Sequence, residues 1–227
     1  MRAASGPLAP SLESNEEGVE LVMAAIERAG YRLGEHCFIG MDAATSELQA
    51  DGGYALGRGA RTLTSEAMAD LWARWLDAYP IVSIEDGMAE EDWDGWRLLT
   101  ERIGSRVQLV GDDLFTTNPA RLRRGIELRA ANAVLIKPNQ IGSLTETVET
   151  MRVAREAGYG AMLSSRSGEA EDTTITDLSV LPGAWQIKMG PPCAQAILKY
   201  NRLLRIAEEL GDQAQYAGRE AFRTWRY

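Results

Sequence analysis

Three short apolar runs in the middle of the chain each end in a charge: IVSIED at 81–86, VQLVGDD at 107–113 and AVLIKPNQ at 133–140. Runs of four or five residues rich in Val and Ile are too short for helices and read as buried strands of a parallel sheet. Amphipathic helical stretches separate them. Strand and helix alternating every 25 to 30 residues or so, roughly, is the period of a (β/α) barrel. Chemistry in such barrels collects at the carboxyl ends of the strands, where Glu85, Asp112 and Lys137 fall.

The same pattern organises the rest of the chain. Residues 1–13, rich in Ala, Ser, Gly and Pro, read as a loop. Ser14 with Glu17 forms a capping box that opens a helix running to Gly30. CFIGMD is the next strand and ends on Asp42, and the Gly-rich stretch Ala50 to Arg61 reads as a hairpin or excursion. Thr64 or Ser65 caps a helix on which Met68, Leu71, Trp72, Trp75, Leu76 and Tyr79 recur at helical spacing, so the tryptophans are core packing; Pro80 ends it. The acidic residues of MAEEDWDGW suit the first turn of a helix through its dipole and need no metal. Asn118 and Pro119 cap the next helix, and Ser143 with Glu146 makes a second capping box for a helix that runs to Gly158. GAMLSSRSG and WQIKMG complete six strand-like runs. A helix from about Cys193 to Gly211 follows, then a polar tail over 212–227. No linker separates a second domain, so residues 1–227 are expected to form one α/β domain, a TIM-type (β/α) barrel with about six βα units and hence incomplete.

Composition narrows the function. At 227 residues with 45% apolar content the chain can bury a large core. A net charge of -9 argues against a nucleic-acid or anionic-membrane partner. The arginines at 121, 123, 124 and 129 read as a solvated helix face. Two cysteines, Cys37 and Cys193, are too few for a disulfide framework and suit a reducing cytosol. The stretch MRAASGPLAPSLES has no apolar signal core and no run approaches the length of a membrane span, so a cytoplasmic location is expected.

The strand ends deliver, in order, Asp42, Glu85, Asp112, Lys137, the Ser164 to Ser167 turn and Lys188. Three hard carboxylate ligands suit Mg²⁺, and a lysine near a bound cation gives up its proton more readily. Together they suit proton abstraction next to a carboxylate, with a metal stabilising the enolate. Rim ion pairs, Lys137 with Asp112 and Lys188 with Glu85, are the alternative open on spacing alone.

The strings DAATSE, SIEDGMAEEDWDGW, VQLVGDDLFTTNPARL, LIKPNQIGSLTET, SSRSGEAEDTTITDL, QIKMG and KYNRLLRIAEELGD resemble the C-terminal barrel domain of enolase, the phosphopyruvate hydratase of glycolysis. Enolase-superfamily sites are a known pattern of a lysine or histidine base with one or two Mg²⁺ ions. The resemblance implies that Asp42, Glu85 and Asp112 hold Mg²⁺ and that Lys137 takes the C2 proton of 2-phosphoglycerate. It implies that Lys188 holds the substrate carboxylate, that Arg166 and Ser167 grip the phosphate, and that Gln140 supports the Lys137 loop. The product would be phosphoenolpyruvate, and a homo-oligomer or a complementing chain is expected as partner.

The departures are specific. Where the family has the glutamate of a GDEGG loop, which helps expel the C3 hydroxide, this chain has Ser5; where the family's SHRSGE has histidine, it has Ser165. The only histidine, His36, lies at a strand entrance and reads as structural or exposed. By the resemblance, the family's N-terminal α/β domain and the first part of its barrel are not among these residues. The alternatives are therefore an impaired or truncated enolase-like protein that binds Mg²⁺ or a partner subunit, or a divergent member acting on a related phosphorylated or phosphonate acid.

Overall fold

The computed structural model describes residues 10–57, 62–166, 171–182, 184–191 and 195–222. Their helices and strands fall into two units, Pro10–Leu114 with Leu128–Ala131, and Phe115–Glu127 with residues 132–222. The first nine residues, Ser167, Cys193 and the end of the tail from 223 lie outside the described residues.

In the first unit, α1 (Asn15–Arg28) starts at the expected cap, with Ser14 Oγ accepting the Glu17 N–H at 3.1 Å. The Glu17 carboxylate turns back one residue further than a capping box requires and accepts the Glu13 N–H at 2.7 Å. Strand β1 (Ile39–Asp42) begins two residues later than the apolar run suggests. The excursion is a hairpin of β2 (Gln49–Ala50) and β3 (Gly53–Tyr54). Its two-residue turn, Asp51 and Gly52, takes φ of 49° and 76°, the left-handed pair that matches strand twist. Thr64, not Ser65, caps α2 (Ser65–Ala78). Strand β4 (Ile81–Glu85) is buried along its whole length; α3 (Trp93–Ile103) and β5 (Gln108–Gly111) follow. The strands lie parallel in the order β1-β4-β5.

The tryptophans of α2 and α3 pack in the core, and Trp72 and Trp96 spend their N–H groups there. Trp72 Nε1 donates to the Gly87 carbonyl at 2.9 Å and Trp96 Nε1 to the Ala89 carbonyl at 3.1 Å. Tyr54, 2% exposed, ties the hairpin to both helices: its hydroxyl donates to Asp92 Oδ2 at 2.6 Å and accepts the Ala89 N–H at 3.0 Å. Ser65 Oγ also donates to Asp92 Oδ2, and Asp92 Oδ1 caps α3 by accepting the Gly95 N–H. Burial and the Asp92 carboxylate raise the Tyr54 phenol above its ordinary pKa.

In the second unit, Asn118 Oδ1 accepts the N–H groups of Ala120 and Arg121 and opens α4 (Pro119–Leu128). Strand β6 (Ala133–Ile136) is fully buried. One helical turn, α5 (Pro138–Ile141), separates it from α6 (Leu144–Glu156), whose cap is Ser143. Then come β7 (Gly160–Leu163), α7 (Thr174–Ser179), β8 (Gln186–Ile187) and α8 (Ala196–Leu210). The strands run parallel in the order β6-β7-β8. The short helices α5 and α7 carry no helical period long enough to be read in the sequence. On the expected solvated face, Arg123 pairs with Glu149 of α6. His36 Nδ1 accepts the Arg32 N–H at 3.1 Å in an exposed turn, a structural role. Among the described residues no helix is long and apolar enough to cross a membrane.

Candidate active site at the strand ends

The first unit carries the carboxylates. Asp42 and Glu85 close β1 and β4 and are register partners, so their Cα atoms lie side by side at the carboxyl edge. Asp112 directly follows β5, two residues beyond Val110, the register partner of Glu85. Glu85 is 3% and Asp112 7% exposed, whereas Asp42 faces solvent. The side chains alternate along each strand, which puts Asp42, Glu85 and Asp112 on one face.

Asp86 organises this edge. It turns the chain at a φ of 44°, a conformation costly for a residue with a Cβ, and its backbone reaches β5 on one side and the turn after β1 on the other. The N–H donates to Val110 O at 3.0 Å, and the carbonyl accepts from the N–H and Oγ1 of Thr45, at 3.2 and 2.7 Å. Its carboxylate accepts the Asp112 N–H on Oδ1 at 2.9 Å and the Asp113 N–H on Oδ2 at 3.1 Å. Burial pushes this carboxyl up to about 7, against the lowering effect of those two N–H groups. Asp86, Asp112 and Asp113 bring one carboxylate oxygen each within 4.8 Å of one another. Both oxygens of Asp86 are already engaged, so we assign it to orienting the Asp112 turn. Asp42, Glu85 and Asp112 remain as an all-oxygen donor set with two buried members, the kind of ligand a hard divalent cation takes.

The second unit carries the cations. Lys137 directly follows β6 and is 8% exposed. Its N–H donates to Thr117 Oγ1 at 2.8 Å, and Thr117 Oγ1 donates to Gln140 Oε1 at 2.9 Å. Gln140 N–H returns to the Lys137 carbonyl at 2.9 Å, closing α5 over the lysine backbone. Thr117 is fully buried at a φ of 55°, and Thr150 Oγ1 holds its carbonyl at 2.7 Å. Lys188 follows β8; its N–H donates to Leu163 O at 2.7 Å and its carbonyl accepts from Ser164 Oγ at 3.2 Å. Arg166 lies three residues past β7 and is exposed. Ser165, where the family has histidine, is half-buried beside it.

The structure thus brings Asp42, Glu85 and Asp112 to one edge of the first unit. It brings Lys137, Gln140, Arg166 and Lys188 to the carboxyl ends of β6, β7 and β8 in the second. Ser167 and Ser5 lie outside the described residues. Sequence reasoning missed Asp86 and Thr117, although the doubled acid in SIED and the β-branched pair in FTTNP were visible.

Parallel βα units with acids and lysines at the strand ends define an α/β protein with its candidate chemistry at the carboxyl edge of its strands. The chain matches the model of the enolase C-terminal TIM barrel domain over residues 3–225, and it belongs to that family.

Proposed function

We infer that this chain performs enolase-type chemistry on 2-phosphoglycerate, removing its C2 proton on the way to phosphoenolpyruvate. The observation that carries the reading is the register pairing of Asp42 with Glu85, with Asp112 directly after the next strand. These three would hold Mg²⁺, which when bound stabilises negative charge on the substrate carboxylate. Lys137 accepts the C2 proton on Nζ, and the electron pair moves toward the carboxylate. Lys188 holds that carboxylate. Arg166, with Ser167, grips the phosphate through the planar fork of its guanidinium. Gln140 steadies the lysine through Thr117.

Expulsion of the C3 hydroxide needs an acid; by the resemblance a glutamate takes part in it, at the position that is Ser5 here, and Ser165 stands where the family has histidine. A catalytically impaired, Mg²⁺-binding protein is therefore the second reading. The test is the full chain with 2-phosphoglycerate and Mg²⁺ in D₂O, following C2 exchange by NMR and phosphoenolpyruvate by absorbance. Slow Mg²⁺-dependent exchange with little product is expected. Turnover within the ordinary enzyme range of about 1–10³ per second would overturn the loss of the dehydration half. Absence of both exchange and Mg²⁺ binding would leave only a non-catalytic protein.

A further inference from the structure

One face of the three-stranded sheet in the first unit is polar below its carboxylates. Register pairs Gly40 with Ser83 and Ser83 with Gln108, one pleat beneath the Asp42, Glu85 and Val110 row. The opposite face presents the register partners Met41, Ile84 and Leu109, the apolar lining normal for a parallel sheet. Gln108 is fully buried, and neither its Oε1 nor its Nε2 has a hydrogen-bond partner among the described residues. A primary amide with both ends dry in a protein interior is among the costliest polar burials, and buried amides are met by protein or by ordered water. The row of Gly40, Ser83 and Gln108 is open to water at its β1 end, because Gly40 is exposed and a Cβ built on it would meet nothing within 4 Å. Along the strand, Glu85 lies two residues above Ser83, a rise of about 6.6 Å, which one water with two hydrogen bonds of about 2.8 Å nearly spans.

We propose that Gln108 is a positioning residue for the cation site: through ordered water shared with the Ser83 layer, its amide holds the Glu85 carboxylate in its ligating orientation. Outer-shell partners of this kind set metal affinity without touching the metal. The inference rests on the assignment of Glu85 as a Mg²⁺ ligand, and the test separates the two.

The test compares wild type, Gln108→Met and Gln108→Asn by calorimetric Mg²⁺ titration and by urea denaturation in EDTA. Met keeps length and volume but offers no amide; Asn keeps the amide and leaves room for a longer water bridge. Expected is a 10- to 100-fold weaker Mg²⁺ Kd for Gln108→Met, in the range of roughly 10–100-fold for outer-shell partners. Its stability in EDTA should be unchanged or higher, and Gln108→Asn should recover most of the affinity. A structural role alone would lower stability in EDTA and leave the Kd untouched. A folded Gln108→Met with a Kd within about twofold of wild type overturns the inference and leaves the Mg²⁺ site standing. If Gln108→Met fails to fold, a Gln108→Asn protein with wild-type stability and wild-type Kd supports the amide, and one with Met-like loss of the fold overturns it. A wild-type chain that binds no Mg²⁺ at millimolar concentration removes the metal reading itself, and this inference with it.

Discussion

Replacing Thr117 by Val exchanges one buried hydroxyl for a methyl at the point that holds the Lys137 backbone. The hydroxyl accepts the Lys137 N–H at 2.8 Å and donates to Gln140 Oε1 at 2.9 Å. Valine orphans a buried N–H, which costs about 1–3 kcal/mol, while the half-buried Gln140 amide can turn to water for about 0.5 kcal/mol. The added apolar burial returns about 0.8 kcal/mol. The orphaned donor dominates, for a net loss of about 2 kcal/mol. Thr117→Ser keeps the hydroxyl and eases β-branching at a φ of 55°, so it should match wild type. Thr117→Gly relieves the left-handed strain, about 1–2 kcal/mol, but loses the hydroxyl, and should fall between the two. Amide hydrogen exchange at Lys137 reads this directly: about 2 kcal/mol corresponds to a protection factor roughly 30-fold lower in Thr117→Val. C2 proton exchange should fall in parallel, because a misplacement of about 1 Å costs up to ~100-fold. Unchanged Lys137 protection in Thr117→Val, or equal loss in Thr117→Ser, would refute the hydroxyl as the cause.

Tyr54→Phe removes a bond to a carboxylate and orphans the Ala89 N–H, so the first unit should lose about 2–3 kcal/mol. Urea denaturation followed by the fluorescence of Trp72, Trp75, Trp93 and Trp96 measures it, and a loss under about 0.5 kcal/mol would contradict the network. The raised Tyr54 pKa means the folded state keeps a proton that the unfolded state releases above about pH 10, so wild-type stability should fall there by an extra ~1.4 kcal/mol per pH unit, an increment missing from Tyr54→Phe. Asp86→Ala leaves the Asp112 and Asp113 N–H groups without their acceptor and should weaken Mg²⁺ binding about 10- to 100-fold in calorimetry, although Asp86 is not itself assigned as a ligand. Equal affinity in a folded Asp86→Ala protein would show that the turn holds Asp112 without it.

What the sequence made legible is what local pattern controls. Fully buried parallel strands must be continuous apolar runs, so Ile81–Glu85 and Ala133–Ile136 were readable to within a residue, and Ser14, Asn118 and Ser143 announced the helices they cap. The residues at the strand ends followed, because the period fixes which end of each strand meets which loop. Asp86 and Thr117 were hidden for the converse reason. Their partners lie 26 and 20 residues away, and no local pattern says that a second acid after a strand will face the N–H groups of the next turn. Gln108 shows where the boundary falls. A single polar residue inside VQLVG, like Ser83 inside IVSIE, interrupts a run that parallel packing would keep apolar. Each interruption alone is uninformative; it is the register that sets Ser83 against Gln108 and turns two local exceptions into one polar layer. Gln108 is the costly member of that layer, since a polar group buried without a partner costs about 1–3 kcal/mol against a total stability of about 5–15 kcal/mol. That layer lies directly under the only row of the sheet where Asp42 and Glu85 stand side by side, which is where a cation site needs support from below.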